Sequence, residues 1–570
     1  MFWRMFDRHE MTEQELYDDI DCLAGMDRTP APPTQVARSH VYEFAFDPDQ
    51  DTKVDEGSRC FFAHDLEKRT EVTSFHADRG RITIKIGPKN GAPPPHLNLI
   101  PDEYVSATKI ADAVYRFVAA WWGGQITSRA VEDLLYRRPP RIMGRNGGAL
   151  IDPKRELIPQ LTEVVQRLDG TTLCVQGPPG TGKTYAIGHV VAQLLQQGKR
   201  IGITATSHKA ILNALKAVHE ACASRHVTAR LVKVGGDNDD PLLQAGHIQR
   251  IEPDAAVAEL AGGGVVVGGT AWVFVRPELA KSLDYLFIDE AGQFCLANVV
   301  GVGLATENLV LVGDQMQLSQ PIQGTHPGES GQSGLEYLLN GRQTIPPEFG
   351  VFLNVTRRLH PEVCRFISDA VYEGRLEAHP STSRRCILPA AGAKQVKRGT
   401  GLLYVPVEHE GNTQCSDEEV DVIAAIVGEL LSAQFEDDGQ RRQLRLQDDI
   451  LFVAPYNMQV QRLKKQFGSS ARIGSVDRFQ GQEAPVVIVS MCCSSLEDAP
   501  RGAEFLLHRN RLNVAISRAK CLAIVVGSPS IMMTRCQTVE QMRLVNLYCR
   551  IAEYAEELAK RTTSTSRASC

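Results

Sequence analysis

The spacing of apolar residues changes several times along the chain. Between residues 41 and 90 they fall into short runs, VYEFAF, RCFFAHDL, EVTSFHA and RITIKIG, each bounded by Gly, Asp or Pro. Runs of that length, with polar residues interleaved, predict a small antiparallel sheet or barrel. The preceding residues, 1–40, are polar and acidic and end in the Pro-rich turn Thr29-Pro30-Ala31-Pro32-Pro33. A second Pro-rich stretch, 91–101, breaks the strand pattern. The barrel-like module is therefore expected over 41–106. A helical stalk and linker over 107–154 follow, carrying Trp121 and Trp122 and then the Arg- and Gly-rich run RRPPRIMGRNGG.

From residue 155 the texture is different. Strand-like runs TLCVQG, RIGITAT, LVKVGG, GVVVGGT, YLFIDE and LVLVGD alternate with helical segments. Nearly continuous apolar strands separated by helices are what a parallel sheet buried on both faces requires. A second series, GLLYVPV, ILFVAPY, ARIGSV, APVVIVS and CLAIVVGS, begins after Gly350. The fold class is α/β, with two such units expected over 155–345 and 346–535. A C-terminal helix and tail occupy 536–570, and the closing TTSTSRASC has the composition of a disordered end.

Bulk properties narrow the function. A chain of 570 residues exceeds what one core organises, so several domains are required. The formal net charge of −6 excludes a globally basic coat but not a local basic channel. The 14 cysteines include no C-x-x-C pair and no Cys/His cluster at zinc spacing, which predicts reduced thiols in a reducing compartment. The N-terminus lacks a basic segment followed by an apolar one, and no apolar run reaches the roughly 20 residues a membrane span needs. A cytoplasmic protein with no membrane partner is expected.

Chemistry enters at Gly177-Pro178-Pro179-Gly180-Thr181-Gly182-Lys183-Thr184, which fits G-x-x-x-x-G-K-[ST] between an apolar strand and a helix. Such a loop turns backbone N–H groups inward around phosphate, and the helix adds its positive end. Lys183 supplies a point charge to the β- and γ-phosphates, and Thr184 a hydroxyl ligand for Mg²⁺. Downstream, the strand YLFI ends in Asp289-Glu290. Asp289 is suited to hold Mg²⁺ and Glu290 to orient and deprotonate water. These residues specify an NTP-binding site, with ATP and Mg²⁺ as the expected cofactors; kinases, GTPases and AAA-type machines share such a loop.

The remaining motifs carry a resemblance. In order they are ITATSHKAILNAL (203–215), VVVGGTAWVF (265–274), LVGDQMQLSQP (311–321), VTRRLHPEVCRF (355–366), VAPYNMQVQRL (453–463), SVDRFQGQEAPVVIVS (475–490) and RLNVAISRAK (511–520). This series resembles the Upf/Nam-like branch of superfamily 1 helicases. The chain is also similar to the helicase half of bacterial proteins that fuse a RecB-like nuclease to such a helicase. The resemblance covers about 155–530 and extends into 1–150. It implies two tandem RecA-like domains, with no nuclease constellation in this chain, which then reads as a stand-alone or truncated helicase portion.

Carried over residue by residue, the resemblance makes Gln160, 17 positions before Gly177, an adenine reader. Gln317 becomes a γ-phosphate sensor, Arg358 an arginine reaching the γ-phosphate from the second domain, Arg518 the arginine finger and Glu483 a ribose contact. Arg357 stands where the family often has an adenine-stacking aromatic; a guanidinium plane also stacks on a base. Strand-contact candidates are Thr206, Ser207, His208, Lys209 and Thr270 in the first unit. In the second they are Pro455, Tyr456, Asn457, Ser475 and Asp477; Tyr456 either stacks a base or packs. The implied activity is 5′→3′ helicase movement on single-stranded or forked DNA, with a nuclease partner acting in trans. Two alternatives stay open: an RNA or RNA–DNA helicase, and a nucleic-acid-stimulated ATPase switch without strand separation.

Overall fold

The computed structural model describes residues 2–568 except 51, 103–105, 237–238, 261–262, 321–325, 469, 480 and 501; the side chains of 2–4, 18, 477 and 562–568 also lie outside the described set. The N-terminal module is built from β1 (Leu23–Arg28), β2 (Thr34–Val36), β3 (Ser39–Ala45), β4 (Arg59–Phe62), β5 (Asp65–His76), β6 (Arg81–Ile86) and β7 (His96–Pro101). Its antiparallel order is β1-β7-β4-β5-β6-β3-β2, and a β1–β3 pairing closes the ring into a barrel. The alternation that predicted it is literal in β6, where Ile82, Ile84 and Ile86 are buried and meet Phe44, Phe62, Leu97 and Leu99 in the interior. The barrel starts at Leu23, earlier than residue 41. The run LAGMDR carries a glycine and two charges, so its strand character comes from pairing with β7 and β3 rather than from its own composition.

A stalk helix, Thr108–Trp122, buries Ile110, Ala113 and Phe117 and packs on the helix Leu296–Val302 of the next domain. That domain contains β8 (Thr172–Gln176), β9 (Ile201–Thr204), β10 (Arg230–Val234), β11 (Gln249–Ile251), β12 (Val265–Gly268), β13 (Leu283–Ile288), β14 (Thr306–Gly313) and β15 (Gly350–Phe352). They form one parallel sheet in the order β11-β10-β12-β9-β13-β14-β8-β15. Every residue of β8 is buried, as a central parallel strand covered on both faces demands. β15 pairs with β8, so the first sheet takes in residues beyond 345.

The second domain adds β16 (Val355–Thr356), β17 (Glu377–Ala378), β18 (Cys386–Leu388), β19 (Gly401–Pro406), β20 (Gln434–Asp437), β21 (Gln440–Gln443), β22 (Ile450–Val453), β23 (Arg472–Gly474), β24 (Ala484–Ser490) and β25 (Ala519–Gly527). Its main sheet is parallel, ordered β19-β25-β24-β22-β23. Each unit has the parallel α/β sheet expected of a RecA-like domain. One apolar core runs continuously from the first sheet into the second domain and onto the terminal helix Val539–Ala568, whose Tyr548, Ile551, Tyr554 and Leu558 are buried. The backbone of that helix continues to Ala568, through most of the tail whose composition predicted disorder; extending an existing helix costs far less than starting one. Among the described residues no helix is long and apolar enough to cross a membrane.

Candidate functional site

The carboxyl ends of three adjacent strands gather the first domain's chemistry. β8 runs into the loop 177–182, β13 into Asp289 and Glu290, and β14 into Asp314 and Gln317. Crevices outside the carboxyl ends of parallel strands are where such sheets bind ligands. Lys183 folds back over the loop and donates from Nζ to the Gly177 carbonyl at 2.7 Å. A Cβ at Gly177 would lie 2.4 Å from Lys183 Cγ, so only glycine leaves room for the lysine there. Thr181 Oγ1 donates to the Pro178 carbonyl at 2.8 Å, tightening the curve. Pro178 and Pro179 are buried, Gly182 is exposed and Thr184 is half-buried at the helix start.

Across the cleft, the second domain presses directly on this loop. Gly180 has φ +74°, and a Cβ on it would meet Arg358 Cβ at 2.4 Å and Thr356 Oγ1 at 2.6 Å. Thr356 Oγ1 donates to the Pro179 carbonyl at 2.9 Å, and the Arg357 N–H donates to the Gly180 carbonyl at 2.9 Å. Arg358 donates from Nε to Glu483 at 2.6 Å, and Lys520 reaches the other oxygen of Glu483 at 2.7 Å. Burial pulls the Glu483 carboxyl up, but Arg358 and Lys520 outweigh it and the net pKa is lowered.

Arg518 is 2% exposed. Its Nη1 donates to the Gln482 carbonyl at 3.4 Å, while Nε and Nη2 have no hydrogen-bond partner among the described residues. Burial, and then the charge of Arg358, pulls its pKa down to about 10, partly offset by Glu290 and Tyr372. It stays charged at neutral pH. A buried cation with two unpaired N–H groups is costly unless an anion completes it. The donor set, the glycine cradle and Lys183 all fit a polyphosphate.

The acidic half fits a cation. Asp289 is 5% exposed, and its Oδ1 accepts the Glu290 N–H at 2.9 Å. Burial, then the neighbouring Glu290, pushes its pKa up to about 7. Glu290 itself has φ +51°, a left-handed conformation that a non-glycine residue adopts rarely and that is common at functional turns. Thr184 and Asp289 are the residues that would hold Mg²⁺, which supplies charge neutralisation at the transferring phosphoryl group.

Sequence reasoning overlooked a polar cluster beside these groups. Asp314, buried, accepts from Gln317 Nε2 at 2.8 Å and from the Tyr372 hydroxyl at 2.6 Å on the same oxygen. Asn513 donates to Tyr372 Oη at 3.0 Å and to the Met316 carbonyl at 2.7 Å, and Asn510 donates to the Gln315 carbonyl at 2.9 Å. Asp314 and Asn513 sit inside motifs already visible, LVGDQMQLSQP and RLNVAISRAK. Tyr372 has no such signal.

Gln160 and Arg357 are engaged by local partners. The Gln160 amide is taken up locally: its Oε1 accepts the Asp152 N–H at 2.9 Å, and its Nε2 donates to the Asp152, Arg155 and Glu156 carbonyls. In this conformation it braces the loop 152–156, with its Nε2 hydrogens taken up by backbone carbonyls. Arg357 is exposed and meets His379 Nε2 at 3.1 Å. Along the possible strand path, Thr206, Ser207, His208 and Lys209 are exposed after β9, and Ser207 caps the helix His208–Ser224 through the Ala210 N–H at 3.2 Å. Thr270 is half-buried after β12, and Pro455, Asn457 and Ser475 are half-buried after β22 and β23. Tyr456 is buried with its ring 5.3 Å from that of Phe505, so of its two readings the structure shows packing. The side chain of Asp477 lies outside the described residues.

A phosphate cradle, buried carboxylates and arginines from a second lobe define a P-loop nucleotide-binding protein. Two family models, each described as an AAA domain, match residues 160–328 and 332–530. The chain is 25% identical over 413 residues to the DNA polymerase alpha-associated DNA helicase A of Schizosaccharomyces pombe, covering 62% of this chain and 60% of that protein. It is 26% identical over 442 residues to the DNA replication ATP-dependent helicase/nuclease dna2 of the same organism, covering 70% and 30%. With the DNA-binding protein SMUBP-2 of Mesocricetus auratus the identity is 25%, covering 61% and 40%. Through these two AAA-domain matches and these relatives the chain is similar to DNA helicases. It spans 60% of the first of these relatives and less than half of the other two.

Proposed function

We propose that this chain is an ATP-driven motor that moves 5′→3′ along single-stranded DNA and separates strands at forks. The observation that carries the reading is Arg518: a buried guanidinium whose Nε and Nη2 have no hydrogen-bond partner among the described residues, in the domain whose Arg358 packs on the phosphate loop. A guanidinium in that state is suited to the charge that spreads over a transferring phosphoryl group. In this reading Lys183 and the loop from Gly177 to Thr184 bind the β- and γ-phosphates. Glu290 orients and deprotonates the attacking water, Gln317 senses the γ-phosphate, and Arg358 and Arg518 complete the site from the second lobe. Glu483 turns to the ribose, with Gln160 and Arg357 flanking the base once Gln160 leaves its backbone partners.

Because the site is divided between lobes, ATP favours their approach and loss of the γ-phosphate relaxes it. The strand is gripped by Thr206–Lys209 and Thr270 on one lobe and by residues 455–457, 475 and 477 on the other, through sugar and phosphate and so without sequence preference. DNA is preferred as substrate because the names of the three relatives above specify DNA. One of those relatives is described as a helicase/nuclease, which supports a nuclease partner in trans, and we infer a cytoplasmic site of action. Strand displacement with labelled DNA and RNA forks of both polarities tests the reading. Unwinding of 5′-tailed DNA that requires ATP is the expected result. RNA-only unwinding reassigns the substrate, and strand-stimulated ATPase with no displacement makes the chain a clamp.

A further inference from the structure

The polar cluster around Asp314 spans the lobes in a way the nucleotide itself must disturb. Gln317, proposed above as the γ-phosphate sensor, donates from Nε2 to Asp314 Oδ2. The same oxygen accepts the single hydroxyl proton of Tyr372, the residue that closes the second-domain helix Pro361–Val371. The Tyr372 oxygen in turn accepts from Asn513. Asn513 and Asn510 lie on the helix Arg509–Ile516, which also grips the carbonyls of Gln315 and Met316 and ends two residues before Arg518. A continuous chain of buried contacts therefore joins the phosphate sensor to the arginine finger.

We propose that Tyr372 is a positioning residue, whose hydroxyl latches the arginine-bearing helix of the second lobe to the phosphate-sensing loop of the first. The inference rests on the motor reading for the roles of Gln317 and Arg518. Its physical basis is the sharing of one carboxylate oxygen by two donors, one from each lobe. When Gln317 turns toward a γ-phosphate, Asp314 keeps the Met316 N–H, 3.1 Å from its other oxygen, and depends on Tyr372 as its remaining side-chain donor. A buried carboxylate holds such a donor tightly. The lobes are then clamped when Arg518 is needed, and the clamp eases when Gln317 returns. Tyr372 itself contacts Asp314 and Asn513 rather than the reacting phosphate, so its role is alignment rather than chemistry. Burial raises the Asp314 carboxyl, against the pull of Lys183, Tyr372 and Gln317.

Tyr372→Phe keeps the ring and removes only the hydroxyl. With saturating single-stranded DNA its kcat for ATP should fall about tenfold, the worth of one hydrogen bond to a carboxylate, while KM for ATP stays within about twofold of wild type. Asn513→Ala removes the other end of the latch and should give the same split. The double variant should lose no more than the worse single change. In solution scattering, a non-hydrolysable ATP analogue should compact the wild-type chain and leave Tyr372→Phe extended. Full strand stimulation in Tyr372→Phe, equal losses in kcat and nucleotide affinity, or strictly additive single effects each overturn the latch. If the wild type compacts with the analogue yet never turns over on any strand, the motor reading fails while the latch stands.

Discussion

In the first domain the loops around the phosphate cradle and the loops proposed to grip the strand leave the same carboxyl edge of one sheet, but the polar groups of cradle and track are held differently. Around the cradle, Asp289, Asp314 and Arg518 are buried. Asp289 is pushed up to about 7 and Arg518 pulled down to about 10, and two N–H groups of Arg518 have no partner among the described residues. Along the track, Thr206 through Lys209 are exposed, and the Ser207 hydroxyl is used to cap its own helix. A buried, incompletely paired charge is expensive and persists where a ligand completes it. Solvated groups cost little and contact any backbone phosphate equally well. On the proposed reading the cleft is built for one ligand in one geometry, and the track for many positions along a polymer.

The sharpest way to break this contrast is Arg518→Ala. Hydrolysis should fall by about 10³-fold or more with nucleotide affinity little changed, read by phosphate release and by titration with a fluorescent nucleotide. A collapse of binding instead would mean that Arg518 holds the ground state. Next in size, Glu290→Gln should lose about 10²- to 10⁴-fold in turnover while still binding ATP, and Lys183→Ala should abolish turnover. Wild-type rates in Glu290→Gln would remove that residue from the chemistry.

The electrostatics of Asp289 predict a pH effect of intermediate size. Below about 7 its carboxyl is protonated and must shed that proton before it can hold Mg²⁺. Mg²⁺-dependent nucleotide affinity should therefore rise with pH through about 7, with proton release on binding at pH 6 that fades by pH 8. Calorimetry in buffers of different ionisation enthalpy measures it, and a pH-independent affinity would contradict the assignment. Smallest of all, Lys209→Ala should weaken single-strand binding a few-fold and lower the salt slope by about one, with hydrolysis at saturating strand unchanged. A loss of turnover there would erase the distinction between cleft and track.

Legibility followed the same division. The cradle was readable because its chemistry is local: Gly177 to Thr184 are consecutive, and the strand and helix around them announce themselves by period. Asp289 and Glu290 were readable as the end of an apolar strand. Tyr372 was not, because its partners Asp314 and Asn513 lie 58 and 141 residues away in the chain. Gln160 looked available for a base on spacing alone, yet its amide is taken up by the backbone of 152–156, a contact no spacing rule reports. Tyr456 allowed two readings until burial against Phe505 chose between them. The strand Leu23–Arg28 was hidden because its character comes from its neighbours.

By itself the sequence determined the two parallel sheets, the barrel that precedes them, the phosphate loop and the order of the motor motifs. Each of these rests on residues adjacent in the chain, where periodicity and backbone sterics act directly. Only the tertiary structure decided which lobe presses on Gly180, which oxygen Gln317 and Tyr372 share, and that Arg518 is buried with donors lacking a partner among the described residues. Those outcomes depend on burial and on contacts between distant segments, and the free energy of a buried charge is set by what surrounds it in space.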